Sequence, residues 1–217
     1  MIDWEWVQRN LGMIAALLAE HIVLSIVPVV AALVVSIPLG YLVFRTAKAS
    51  NVLLALLGVI YSIPSLALFV VMPVILGTKI LNPANIAVAL TIYSIALLVR
   101  SVVDGLRSVP STVNQSASAV GYGRIRRLFG VELPLAMPVI FAGLREVTVS
   151  NIALVSVGAL IGTGGLGALF IRGLNTGFTT AILVGLVLSL VLALIADGLI
   201  LLIQRGTLPW ARGRIAA

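Results

Sequence analysis

The chain has 217 residues, of which 61% are hydrophobic and 10% charged, and its mean hydropathy is +1.21. These values exclude a soluble domain of this length and describe an all-α integral membrane protein, because long apolar runs satisfy their backbone polar groups internally only as helices. The net charge of +7 lies between apolar runs instead of on a soluble face, which makes it a topology signal and speaks against nucleic acid; without cysteine, and with His21 as the one histidine, disulfides, thiolate chemistry and a metal site are set aside.

Residues 1–20 carry Trp4, Val7, Leu11, Ile14 and Leu18 at three- and four-residue spacing. The pattern predicts an amphipathic helix lying in the membrane interface, anchored by Trp4 and Trp6, rather than a cleaved leader, since the segment opens on acids. His21 follows as an interfacial residue. Residues 22–44 hold no charge and form the first span, with Pro28 and Pro38 as kink points; a span needs about 20 apolar residues. The second apolar stretch, 51–76, contains Tyr61-Ser62-Ile63-Pro64-Ser65 at its middle. A proline removes a backbone hydrogen bond, so this helix is expected to break at depth, where only protein or a water-filled cavity can cover the freed groups. That makes it a candidate pathway wall, with a packing kink as the alternative. Further spans are expected at 84–103, 133–157 and 179–203. Moving the fourth to 147–170 would bury the glycine run 162–167 in a helix, where glycine is unfavourable.

Five spans put the termini on opposite sides. With the C-terminus cytoplasmic, Arg45, Lys48, Arg100, Arg107, Arg124, Arg126, Arg127, Arg205, Arg212 and Arg214 lie inside, against Arg9, Lys79 and Arg172 outside. The bias follows the positive-inside rule and leaves 100–131 as the largest cytoplasmic loop. Within it Pro110 stops a helix and Thr112-Val113-Asn114-Gln115 matches a capping box, predicting a short helix over 112–121. Ser116, Ala117, Ser118 and Ala119 are all small, so another surface can approach closely, and Gly121 is placed to end the helix in a left-handed conformation. Arg124, Arg126 and Arg127 form a basic rim before Leu133-Pro134 opens the next span. A solvated loop helix resting on anionic membrane lipid is the competing reading.

In this loop Gln115-Ser116-Ala117 is followed after three residues by Gly121, and Leu133-Pro134 begins twelve positions later (133 − 121). The register resembles that of type I ABC importer permeases, which carry Glu-Ala-Ala, three variable residues, Gly, then Leu-Pro; Gln115 and Ser116 depart from the family's letters. Tyr61 to Leu68, Glu132 to Ile140 and Gly158 to Gly167 are similar to the permeases for osmoprotectants such as glycine betaine, carnitine and choline, and methionine-importer permeases are the alternative. The resemblance implies a coupling helix in which Gln115, Ser116, Ala117, Ser118, Gly121 and Arg124 meet an ATPase subunit. It also implies a second permease subunit, identical or homologous, and an extracytoplasmic substrate-binding protein in a bacterial cytoplasmic membrane. No cofactor is expected on this chain, ATP and Mg belonging to the partner ATPase, and no catalytic activity. An ATP-independent carrier or channel is the alternative from another class, and five spans without an inverted repeat argue against it.

Gly162-Thr163-Gly164-Gly165-Leu166-Gly167 formally satisfies a dinucleotide fingerprint, but it follows no strand and Asp197 is the next acid. Gly162, Gly164, Gly165 and Gly167 instead suit an outer re-entrant turn or close helix contact, and the resemblance implies that this region helps close the pathway externally. Arg145 lies about 18 Å along the fourth span from Leu133, where an unpaired cation is expensive, so a cavity or a partner must receive it. Tyr61, Ser62 and Ser65, with Arg145, Thr148 and Asn151, are the candidates for the translocation path; structural burial of Arg145 is the alternative.

Overall fold

The computed structural model describes residues 2–46 and 49–210. Lys48, Arg212 and Arg214 of the charge argument lie outside the described residues. Every regular element among those residues is helical, as the composition requires. In chain order they are α1 (Trp4–Arg9), α2 (Leu11–Arg45), α3 (Ser50–Tyr61), α4 (Ser65–Leu76), α5 (Pro83–Arg107), α6 (Ser111–Ala119), α7 (Arg124–Arg127), α8 (Leu133–Gly158), α9 (Gly167–Thr176) and α10 (Thr179–Thr207).

The N-terminal helix differs from the expected 1–20. Asp3 caps α1 by accepting from the Trp6 amide at 2.9 Å, and the chain turns at Asn10. From Leu11 onward only Glu20 interrupts an apolar run, so the helix continues without a break into the first span and through Pro28 and Pro38. The second stretch breaks as its proline demands: α3 and α4 meet at 93° around Ser62-Ile63-Pro64. Neither half alone reaches across about 30 Å of hydrocarbon, since twelve residues rise about 18 Å. Helix α5 starts on a true N-cap, Asn82 accepting from the Ala84 amide at 3.0 Å, and runs past Arg100 and Asp104 to Arg107.

Helix α5 is the axis of the molecule. Its Leu90, Leu98, Val99, Val102 and Val103 are fully buried. Lipid offers helices no hydrophobic incentive to associate, so close packing and hydrogen bonds must hold the bundle. Small residues permit that approach: Gly40 of α2 lies against Val102, while Gly105 and Gly143 bring α5 and α8 together at Ala136 and Ser101.

The contacts define the path of the chain. Leu24, Val29 and Val43 of α2 cluster in that order with Leu90, Leu98 and Val103 of α5, so the two helices run parallel. Helix α8 is antiparallel to α5, Gly105 meeting Ala136 and Ser94 meeting Asn151. Helix α10 is antiparallel to α8, with Leu208 beside Phe141 and Ala196 near Thr148. Parallel α2 and α5 require the bent pair to carry the chain back from one end of the bundle to the other. The described chain therefore makes five passes, starting at the end that holds α1, α9 and the glycine turn and finishing at the end that holds α6 and α7.

Candidate functional site

The loop helix α6 begins one residue before the expected capping box. Pro110 is the N-cap residue and its carbonyl receives the Val113 and Asn114 amides. Thr112 is thus inside the first turn, and the Thr112–Gln115 box does not form: Pro110, following the turn at Ser108-Val109 that ends α5, has the fixed φ that starts the helix without a side-chain cap. Its other end is built as expected. Gly121 has φ +85, its amide donates to the Ser118 carbonyl, and the Tyr122 amide donates to the Ala117 carbonyl, the two bonds of a Schellman cap. Gln115, Ser116, Ser118, Ala119 and Arg124 are exposed, whereas Ala117 faces inward. Ser111, Asn114, Gln115, Ser118, Ala119 and Arg127 line an open cleft of about 580 Å³.

Arg127 joins this element to the membrane helices. It donates to the Ser118 hydroxyl at 2.8 Å and to Glu132 at 2.8 Å. Glu132 is only 4% exposed and belongs to a π-helical turn, Leu128–Glu132, that runs directly into α8. A π turn inside a helix often marks a functional position because it re-aims the side chains around it. The sequence gives no periodic signal for this turn.

At the broken helix, Tyr61, Ile63, Ser65, Tyr93 and Leu154 line a cavity of about 170 Å³. Tyr61 and Tyr93 stand edge to face, with ring centres 5.8 Å apart and planes at 82°. Tyr93 is 2% exposed and its hydroxyl donates to the Ile63 carbonyl, one of the groups that the break frees. Tyr61 is 41% exposed. Ser62 donates back to the Gly58 carbonyl at 2.9 Å.

The other candidates for the path lie elsewhere. Arg145 makes a two-pronged ion pair with Asp197 of α10, Nε to Oδ1 at 2.6 Å and Nη2 to Oδ2 at 2.8 Å. Asn151 is buried and donates to the Ser94 hydroxyl at 2.9 Å, tying α8 to α5. Thr148 is buried and donates to the Leu144 carbonyl. The six residues therefore divide: Tyr61 and Ser65 share a cavity, Ser62 bonds back to α3, Arg145 and Asn151 fasten α8 to α10 and α5, and Thr148 bonds within α8. Glu146 is exposed and makes no hydrogen bond or ion pair among the described residues.

The glycine run is a tight turn between α8 and α9. Gly162 and Gly165 have φ +92 and +49. A Cβ on Gly165 would fall 2.6 Å from that of His21, and Gly164 and Gly167 press on the backbone of Ala159 and Ser156. His21 is not interfacial: it is 0% exposed, because these glycines let the turn close over it. Its Nδ1 accepts from the Leu166 amide at 3.2 Å, and its Nε2 lies 2.9 Å from the Ile152 carbonyl. An imidazole that accepts at Nδ1 donates at Nε2, so both contacts are met by one tautomer. Helix α9, unforeseen in the sequence, packs behind the turn with Leu169 buried.

Comparison with known proteins identifies the family of the chain as a whole. The family described as the binding-protein-dependent transport system inner membrane component matches residues 32–208. The glycine betaine/carnitine/choline transport system permease protein OpuCD of Bacillus subtilis (strain 168) is 34% identical over 202 residues, covering 93% of this chain and 87% of its own. The osmoprotectant import permease protein OsmW of Salmonella typhimurium is 34% identical over 195 residues, 88% of this chain and 90% of its own. Among solved structures, an inward-facing conformation of the MetNI methionine ABC transporter superposes with a TM-score of 0.80 at 23% identity, covering 90% of this chain and 95% of that one. With an all-helical bundle of five passes, a protruding loop helix and this match over most of its length, the chain belongs to the family of inner membrane components of binding-protein-dependent transport systems.

Proposed function

We propose that this chain is the membrane-spanning subunit of an ATP-driven importer for a quaternary-ammonium osmoprotectant such as glycine betaine, carnitine or choline. The observation that carries the substrate class is the 34% identity to the Bacillus and Salmonella osmoprotectant permeases over nearly the whole chain. The likeness to the methionine transporter supports the fold and does not bear on the solute.

The chain offers no catalytic group of its own in this role. A separate ATPase binds ATP and Mg, an extracytoplasmic binding protein delivers the solute, and a second permease subunit completes the pathway. Helix α6 docks on the ATPase through Gln115, Ser116, Ser118 and Ala119, with Arg124 at the rim, and Gln115 meets it without a charge. Movement of α6 reaches α8 through Arg127, which holds Ser118 and Glu132 at once. The solute passes beside Tyr61, Ser62 and Ser65 at the broken helix, and the turn Gly162–Gly167 closes the outer end. Arg145 and Asn151 serve the bundle rather than the solute.

Reconstitution into proteoliposomes with the ATPase and binding protein tests the reading. ATP-dependent uptake of glycine betaine, carnitine or choline, not diminished by excess methionine, is the expected result. Uptake that continues without ATP, or that methionine abolishes, would sink it.

A further inference from the structure

Resting on that transport reading, we propose that the Tyr61–Tyr93 corner forms a site for the quaternary ammonium group, and that the uncovered face of α8 below it is the approach, along which Glu146 draws cations. Tyr93 and Glu146 are the new assignments. The argument starts from the charges of α8. Arg145 and Glu146 are neighbours and therefore point about 100° apart around the helix. Arg145 turns to α10 and is neutralised by both oxygens of Asp197. Glu146 turns the other way, onto a stripe of exposed residues, Ala142, Glu146, Val149 and Ala153, that no other described helix covers.

Glu146 lies thirteen residues into α8 (146 − 133), about 20 Å from its start and so near the middle of a bilayer. A carboxylate at that depth is too costly to face lipid, so the stripe faces water, a pathway or another subunit. The same surface leads to the cavity. Leu154, which forms one cavity wall, is eight residues beyond Glu146, about 12 Å along the helix and roughly 80° around it, with half-exposed Ser150 between them.

The cavity has the chemistry for a cation whose charge is spread over methyl groups. Tyr61, 41% exposed, presents electron-rich π surface and is braced edge to face by the buried Tyr93, while Ile63, Ser65 and Leu154 complete the walls, a lining that attracts quaternary ammonium without an ion pair. Its 170 Å³ is below the ~300–1,000 Å³ of a drug-sized pocket, which suits a headgroup rather than a large solute. No carboxylate lines it, so the group is held by the rings and released readily, as passage requires. Glu146, about two turns away along the wall, raises the local concentration of cations along that route.

The test uses the complete reconstituted transporter and compares choline, a cation, with glycine betaine, a zwitterion. Tyr61→Leu is expected to lower uptake of both by about 5- to 10-fold. Tyr61→Phe restores most of it, and progressive fluorination of that phenylalanine ring lowers uptake step by step. Glu146→Gln lowers choline uptake about 5-fold while glycine betaine, whose own carboxylate offsets the field, changes less than about 2-fold. Wild-type uptake in Tyr61→Leu, or no trend with fluorination, overturns the site. So does an equal loss of both solutes in Glu146→Gln, or dissociation of the permease pair with the choline-to-betaine ratio kept, which would make Glu146 an interface residue. A wild-type complex that takes up neither solute defeats the transport reading and the site together; uptake that ignores these substitutions defeats the site alone.

Discussion

The ion pair between Arg145 and Asp197 shows how far single residues could be read. Arg145 was recognisable as a charge that needs a partner, because an unpaired cation at mid-depth is expensive. Its partner was also in view: Arg145 lies twelve residues into α8 (145 − 133) and Asp197 ten before the end of α10 (207 − 197), so antiparallel packing sets them at one level. What hid the pairing was the expected end of the last span at residue 203, which moved Asp197 toward the surface. Removing one charge leaves the other stranded, whereas removing both does not. Arg145→Met or Asp197→Asn alone should each cost about 3 kcal/mol, and the double substitution Arg145→Met with Asp197→Leu should recover most of it. Melting temperatures of the purified permease check this, and uptake of choline and glycine betaine should fall in parallel in each single variant. His21 departs from its sequence pattern for a different reason. A histidine beside a charged helix end reads as surface, and only the fold brings the glycine turn over it.

Among the elements, the broken second helix was legible because a proline flanked by serines acts locally, on its own backbone. The glycine run likewise announced a turn at the end of α8. The loop helix was legible in position but not in its first turn, where Pro110 outcompetes the Thr112–Gln115 pattern. The link from loop to membrane was not legible at all. Ser118, Arg127 and Glu132 are nine and five residues apart: the turn at Gly121 folds Arg127 back onto Ser118, and the π turn brings Glu132 to Arg127. Glu132→Gln weakens that link while keeping the shape of the side chain. The expected outcome is a coupling defect: the reconstituted complex hydrolyses ATP at no less than about half the wild-type rate while transport falls about 5-fold or more. The ratio of ATP hydrolysed to solute imported measures it, and a ratio equal to wild type would show that the movement takes another route.

Across the whole molecule, apolar runs and the distribution of cations were enough to anticipate an odd number of passes. The parallel course of α2 and α5 explains it, since the bent pair has to return the chain between them. From the charge bias we propose that the N-terminus lies outside and the C-terminus in the cytoplasm. The absence of cysteine makes this easy to check. Ile2→Cys in intact cells should react with a membrane-impermeant maleimide, and Trp210→Cys only after permeabilisation; the reverse pattern inverts the topology. One contact limits how such a bundle can move. His21 bonds to Ile152 and to the turn at Leu166, so α2, α8 and the outer turn are fastened at a single buried ring. Three segments locked at one end swing together like slats on a common pin. Helices α3 and α4, bent at Ser62-Ile63-Pro64, make no bond to that ring, so a change in their angle would leave the clamp intact.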